Sequence, residues 1–468
     1  MASRKDLLKA HSFTTQRLVS ALVTRNPDEQ QPPLRRASMA TFVSILLGVV
    51  LLAGFALFGL IRKQVTTDQW QKTGVVIHDS GSGELFVWDD ASSSLVPMND
   101  IASARLQAGD GGPAEMVTVK SQDLLGVQQR PRRGIPGAPY QLPLPSNITP
   151  FPLRVCATEP NPTGARFLTV QIGATAIGNG TGANGSPAPA SSVDIAVETP
   201  DGQQYIVMNG TSYKLAGQGG VSPLIENLPL FRVTHAWLAA LPFGHPIERQ
   251  EVPGAGGKPQ KGNWTIGTLA RIGAQDDPNT RYYVQLNDGL VRLSYLDMRL
   301  MVAAGTPEAT PISEADYSQY ADNDATFGTQ GLPFGKPKGP QNIGSVGQLS
   351  LCATYVGGDQ TWPNITIGAP TPTRPATLVN PVGNKADMIQ MDPLSGAILQ
   401  NQTLRGDHTA TFLVTSGKIY GIPDHASRLA LGYDDKTPIG RVPEGVLNLF
   451  PAGLPAGVDL SRASITTL

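Results

Sequence analysis

The stretch Leu153-Arg-Val-Cys156-Ala-Thr158 returns, nearly word for word, as Leu349-Ser-Leu-Cys352-Ala-Thr354, and these are the only two cysteines of the chain. Two unrelated thiols would not share such a context across 196 positions. An internal duplication explains it. Equivalent cysteines of a duplicated chain can meet only near the axis relating the two halves, where a disulfide would clamp them together. Closing so long a loop stabilises by about 5 kcal/mol in the chain-entropy model, with measured effects often smaller.

Working outward, the match extends to both sides. Leu85-Phe-Val87, Leu95-Val-Pro-Met98 and Ile101 to Leu106 are echoed by Tyr282-Tyr-Val284, Leu290-Val-Arg-Leu293 and Leu296 to Met301. Tyr205-Ile-Val-Met-Asn-Gly210 with Tyr213 is echoed by Phe412-Leu-Val-Thr-Ser-Gly417 with Tyr420, and Val233 to Pro242 by Val442 to Pro451. The matches keep one order along the chain, at offsets of 197, 196, 207 and 209. Each unit reads as two short strands around a tight turn and then a helical stretch, Pro423 falling in the first turn of the last one. The expected fold is α+β, with four small strand-strand-helix repeats around a central region that carries the disulfide. The repeats are expected near 75–107, 204–245, 264–303 and 411–455. The halves span 62–250 and 263–468, and the loop 251–262 (EVPGAGGKPQKG) links them.

Ahead of this body, Met39 to Ile61 is 23 residues without a charged side chain. At about 1.5 Å per residue it covers roughly 34 Å, enough for a hydrocarbon core of about 30 Å. It is too long for a signal-peptide apolar region, and no A-x-A-like site follows it. We read it as an uncleaved single-pass anchor. The 1–38 tail holds seven cations against Asp6, Asp28 and Glu29, although the near flanks are balanced on the two sides. The positive-inside rule leans mildly towards a cytoplasmic tail and an extracytoplasmic body. Cysteines, Gly and Pro confined to or concentrated in the body lean the same way. Within the tail, Ser12 to Arg25 suits an amphipathic helix, either solvated or docked on a partner or the membrane face, ended by Asn26-Pro27.

Fifty-one glycines, 40 prolines and 16% charged residues describe a turn-rich body. A net charge of −1 gives no footprint for nucleic acid. Gly180-Thr-Gly182-Ala-Asn-Gly185 spells G-x-G-x-x-G but runs into Ser-Pro187-Ala-Pro189, which cannot open a helix to hold a pyrophosphate. Gly335-Lys336 is followed by Pro337, where a P-loop needs Ser or Thr. The six histidines show no metal-ligand spacing. Three of them neighbour an acid, in His78-Asp79, Asp407-His408 and Asp424-His425, which says little about geometry. No nucleophile elbow is present. Catalytic, cofactor and metal residues are therefore expected to be none. Trp237, Leu238 and Leu241 are apolar enough for an interface, yet the repeat partner has Val446, Leu447 and Phe450 there, so a core position explains both copies more economically.

These residues resemble the EccB family, the bitopic membrane component of the actinobacterial type VII (ESX) secretion system. The resemblance covers nearly the whole chain. It is carried by Ser20-Ala-Leu-Val-Thr-Arg25 before the anchor, Asn99 to Leu106, Arg133-Gly-Ile-Pro-Gly-Ala-Pro139, the two Cys-Ala-Thr segments and Ala236 to Pro242. It fits loosely at Lys5 to Phe13, and the end after Val458 is short for the family. It implies a core assembly subunit of an inner-membrane export machine. The implied partners are an EccC-like FtsK/SpoIIIE motor, EccD, EccE and further copies of itself, and small WXG100-type proteins are the cargo. Some members carry an ATPase designation, which makes ATP the alternative cofactor and an ATPase subunit the alternative function. A membrane-anchored cell-wall-binding module is the third reading.

Overall fold

The computed structural model describes residues 4–24, 33–61, 67–109, 112–160, 166–173, 193–215, 224–225, 228–275, 277–322, 325, 327–340, 350–368, 377–378, 385–404 and 410–468. The glycine-rich 180–185 segment, its surrounding loop, Asn26-Pro27 and Asp407-His408 lie outside them. The chain divides into two units, 1–69 and 70–468.

In the first unit, α1 (Arg4–Thr24) begins well before the Ser12 read from sequence, and Leu7, Leu8, Leu18 and Leu22 on it are exposed. The helix α2 (Pro33–Ile61) contains one stretch apolar enough to cross a membrane, Met39–Leu57, none of it buried. Its leucines, valines and phenylalanines are exposed all round, the pattern of a helix that lies in lipid. A single turn, α3 (Thr67–Trp70), follows.

The second unit holds four copies of one motif. The first copy comprises β1 (Val75–Asp79), β2 (Leu85–Asp89), β3 (Ser94–Met98), α4 (Ile101–Ala108), β4 (Glu115–Val119) and α5 (Ser121–Leu124). The meander β1-β2-β3 is antiparallel, and β4 returns parallel to β1 on its free side. A short β5 (Arg133–Gly134) and two central strands, β6 (Leu153–Pro160) and β7 (Arg166–Ile172), come next. The second copy has β8 (Ile195–Glu198), β9 (Gln204–Met208), β10 (Thr211–Lys214), β11 (Leu230–Arg232) and α6 (His235–Ala239). The third has β12 (Leu269–Ile272), β13 (Arg281–Leu286), β14 (Gly289–Leu293), α7 (Tyr295–Ala303), β15 (Thr310–Pro311) and α8 (Glu314–Tyr320). Four more central strands follow: β16 (Leu351–Tyr355), β17 (Asn364–Ile367), β18 (Thr377–Leu378) and β19 (Met388–Met391). The fourth copy has β20 (Ala397–Asn401), β21 (Thr411–Thr415), β22 (Lys418–Ile422), α9 (His425–Ala430), β23 (Ile439–Val442) and α10 (Glu444–Leu447), before the terminal β24 (Thr466–Thr467) pairs with β5.

The strand-strand-helix unit read from sequence is thus present in repeats 1, 3 and 4 inside a longer motif, framed by an opening strand and a parallel returning strand; in repeat 2 most of the segment between β10 and β11 lies outside the described residues. Local chemistry starts its helices. Asp100, Ser294 and Asp424 cap α4, α7 and α9 by accepting from the amide three residues on. Pro423 stands just before the Asp424 cap, outside the helix whose first turn it was read to occupy. The motif closes the same way in every copy. The chain leaving the second helical position returns beside the third strand and bridges its second residue: Gln129 to Leu95, Phe243 to Ser212, Ala321 to Leu290 and Ala452 to Ile419.

The central sheet has the order β17-β16-β6-β7-β19-β18. At its middle, β6 and β16 run antiparallel with Cys352 opposite Cys156, Ala353 opposite Val155 and Thr354 opposite Arg154. The two cysteines are disulfide-bonded with Cα atoms 4.1 Å apart, at the point where a twofold relating the halves must pass. Leu153, Val155 and Ala157 with Leu351, Ala353 and Tyr355 line one face, and repeats 2 and 4 bury it in a shared core. Repeat 4 also packs on repeat 1, and repeat 2 on repeat 3. The inner sheets are therefore covered on both faces: Ile195 and Val197 face the centre while Ala196 faces repeat 3, and Ala397 and Leu399 face the centre while Ile398 faces repeat 1. Strands buried on both sides read as unbroken apolar runs, without alternation.

Candidate functional site

The residues singled out by sequence converge on the pseudo-twofold centre. The Thr234 side chain caps α6 by accepting from the Trp237 amide, which turns the helix so that Trp237, Leu238 and, beyond it, Leu241 are buried. Trp237 Nε1 donates to the Val155 carbonyl of the cysteine strand at 3.3 Å. From the opposite half, the Tyr355 hydroxyl donates to the Ala240 carbonyl at 2.6 Å, and burial pushes that hydroxyl far above its ordinary titration range. Trp237, Leu238 and Leu241 belong to the common core with the disulfide strands, and they present no free surface. Met39 opens the exposed apolar stretch and Ile61 is the last residue of α2.

In the two acid-histidine pairs that are described, each acid is engaged by groups other than its neighbouring histidine. Asp79 accepts from Ser121 Oγ at 2.6 Å, Ser82 Oγ at 2.7 Å and the Gly81 amide at 2.9 Å, and these bonds hold its carboxyl down at about 2. Asp424 caps α9, while His425 Nε2 lies 2.7 Å from Asp435, which Arg428 also reaches at 2.9 Å. Both contacts lower the Asp435 pKa, the histidine bond most. Among the described residues no group of His, Cys, Asp and Glu is placed to hold a metal ion. Gly335 and Lys336 lie in a segment without helix, and Lys336 Nζ stands 5.8 Å over the Tyr295 ring. Among the described residues that follow, 337–340, no helix begins that could cradle a triphosphate, so these residues do not fit a P-loop.

Sequence reading missed a cleft of about 800 Å³ between repeat 1, the 140–147 segment and the turn that leads into repeat 4. Large apolar side chains stand open around it: Tyr140 is 81% exposed, Leu394 75% and Leu144 60%. Leu394 has φ +59° at the third place of the turn Asp392–Ser395, whose Ser395 amide donates to the Asp392 carbonyl at 3.1 Å. Glycine or asparagine normally fills that place, and leucine there costs on the order of 1 kcal/mol. A strained, exposed leucine beside a cleft suits a contact surface better than a folding role. Its one sequence signal is the D-P-L-S-G run, which puts leucine where the turn wants glycine.

The sequence model of the family described as "Type VII secretion system ESX-1, transport TM domain B", EccB, matches residues 1–466. The chain belongs to this EccB family. It is 26% identical over 290 residues to the "ESX-1 secretion system ATPase EccB1" of Mycolicibacterium smegmatis (strain MKD8), a match covering 60% of this chain and 58% of that protein. It is 26% identical over 308 residues to the "ESX-3 secretion system ATPase EccB3" of Mycobacterium tuberculosis (strain ATCC 25618 / H37Rv), covering 60% and 53%. The chain thus spans less than two thirds of the length of these curated relatives. Among solved structures it is similar to a chain of the EccB3 dimer from the ESX-3 core complex, at TM-score 0.58 and 21% identity over 83% of this chain and 98% of that one. It is also similar to a chain of an intact ESX-5 inner membrane complex, at TM-score 0.56 and 21% identity over 99% and 95%. These likenesses fix the EccB fold, and with the apolar helix they make this a single-pass membrane protein.

Proposed function

We propose that this chain is a structural and assembly subunit of a type VII (ESX) secretion complex, anchored by α2 with its tail in the cytoplasm and its duplicated body outside. The observation that carries this is the build of the body. A disulfide joins its halves at their common axis, its inner sheets are buried on both faces, and a cleft with exposed Tyr140, Leu144 and Leu394 around it is left for contact. A disulfide also suits the oxidising side of the membrane. The partners in this reading are further copies of the chain, an EccC-like motor, EccD and EccE, and the cargo is of the WXG100 type. Membership of the EccB family and the complexes in which similar folds were solved support it.

The test is extraction of native membranes in mild detergent, capture on a tag at Leu468, and sizing with mass spectrometry of the captured particle. Co-purification of an FtsK-like motor in a particle far larger than a dimer is expected; a lone monomer or dimer would overturn the reading. Export of cargo is expected to stop on Cys156→Ser or on removal of residues 1–36.

The names of the curated relatives favour a second reading, an ATPase subunit. The described residues supply no phosphate loop for it. Saturable ATP turnover by the purified chain, abolished by one side-chain change, would establish it.

A further inference from the structure

We propose that repeat 1 carries an anion site for a phosphate group, in the pocket of about 560 Å³ between the β2–β3 hairpin, the segment Arg130–Arg133 and the turn at Arg462. The repeats themselves supply the comparison. In all four, the residue after the bridging position donates its amide to the second residue of the third strand. The bonds are Arg130 to Leu95 at 2.9 Å, Gly244 to Ser212 at 2.9 Å, Asp322 to Leu290 at 3.0 Å and Gly453 to Ile419 at 2.8 Å. The backbone path is the same, so it does not require an arginine. In repeats 2 and 4 the next strand residue is Tyr213 or Tyr420, and its ring fills the space over the glycine. A Cβ on Gly244 or Gly453 would stand 2.2 Å from that ring. Repeat 1 has Val96 and Arg130 instead, both lining the pocket. Where a tyrosine ring closes the surface in repeats 2 and 4, a valine leaves it open and a guanidinium stands at its edge.

Three arginines from separate places line the opening, Arg130, Arg133 and Arg462. The two carboxylates there are already engaged. Asp89 takes Arg130 at 2.9 Å and also accepts from Ser92, and Asp90 accepts from Thr73. Among the described residues, neither Arg133 nor Arg462 has an acid within ion-pair distance. Two planar donor forks lining one pocket, neither in an ion pair, offer more N–H groups than the two oxygens of a carboxylate can use, and they match the oxygens of a phosphate. The pocket is larger than a phosphate ion and leaves room for a sugar-sized body beside Trp88.

The test is calorimetric titration of the full-length chain in detergent with inorganic phosphate, glucose 1-phosphate and acetate. Saturable binding of both phosphates at millimolar or lower concentration, weakening with salt, is expected, and none of acetate. Tighter binding of the sugar phosphate would identify a phosphorylated sugar as the ligand, and equal binding phosphate alone. Arg133→Gln and Arg462→Gln should each weaken binding about tenfold, the loss expected for one charged hydrogen-bonding partner. Arg133→Lys, which keeps the charge without the fork, should recover it only in part. Arg281→Gln, at an exposed pair on repeat 3, should leave binding unchanged. Unchanged near-ultraviolet circular dichroism would certify the fold of each variant. No saturable heat with either phosphate, equal binding of acetate, or full binding by the Arg133→Gln/Arg462→Gln double variant would overturn the site.

Discussion

Gly445 of α10 lies against the carbonyl of Ala239 at the end of α6, so close that a Cβ at 445 would stand 1.7 Å from that oxygen. The two helices are counterparts in the two halves, and Ala236 holds the equivalent place on α6. One half keeps the methyl, and the other gives it up so that the helices can pack beside the pseudo-twofold. Gly445→Ala has no flexible neighbour to displace, only backbone, and should destabilise the body by about 3 kcal/mol or more. Gly335→Ala, with no atom within 4 Å of the new methyl, should be near neutral, both variants being compared with the parent chain by denaturant titration.

The Tyr420 ring and Gly453 form a second pair of this kind, mirrored by Tyr213 and Gly244. Gly453→Ala should cost about 1–3 kcal/mol through overpacking. Repeats 1 and 3 carry valine at the tyrosine position, so Tyr420→Val should remove the clash. In a double-mutant cycle the two changes are expected to couple favourably; additivity within about 0.5 kcal/mol would show that the ring is not what excludes the methyl.

Loss of the Cys156–Cys352 bond should lower stability by about 2–5 kcal/mol, the range for a bond closing a long loop. The strands it joins also share a buried core, so Cys156→Ser/Cys352→Ser is expected to stay folded. Thermal unfolding with and without reductant checks this: reductant should lower the midpoint of the parent chain and leave that of the double variant unchanged.

Asp79 ties β1 to α5 through Ser121. Its pKa in the folded chain is depressed to about 2, so its contribution to stability is fully present above the unfolded value near 4 and is lost as the pH falls through 2. The stability advantage of the parent chain over Asp79→Asn should therefore shrink between pH 4 and 2 and be constant from pH 5 to 8. An advantage independent of pH over the lower range would show that the carboxylate charge is not what the serine hydroxyls hold.

Much of this architecture is legible in the sequence because it is local or duplicated. The unbroken apolar run Met39 to Ile61, the matching cysteine segments and the ordered offsets give the membrane helix, the two halves and the meander-helix core of each repeat. Helix caps and turn residues at Asp100, Ser294, Asn209-Gly210 and Ser416-Gly417 act within a few residues, so they too can be read in one dimension. The opening strands β8 and β20 escape such reading. They are buried on both faces, and Ile195-Ala-Val and Ala397-Ile-Leu show no alternation to mark a sheet. Trp237 shows the other limit, since its apolar surroundings suit core and interface alike until the Val155 carbonyl is seen bonded to its ring nitrogen. What the sequence by itself determined was the repeat, its local chemistry and the anchor. Which repeat packs on which, the cleft beside Leu394 and the arginine-lined pocket beside repeat 1 were decided only in the tertiary structure, because each depends on side chains brought together from distant parts of the chain.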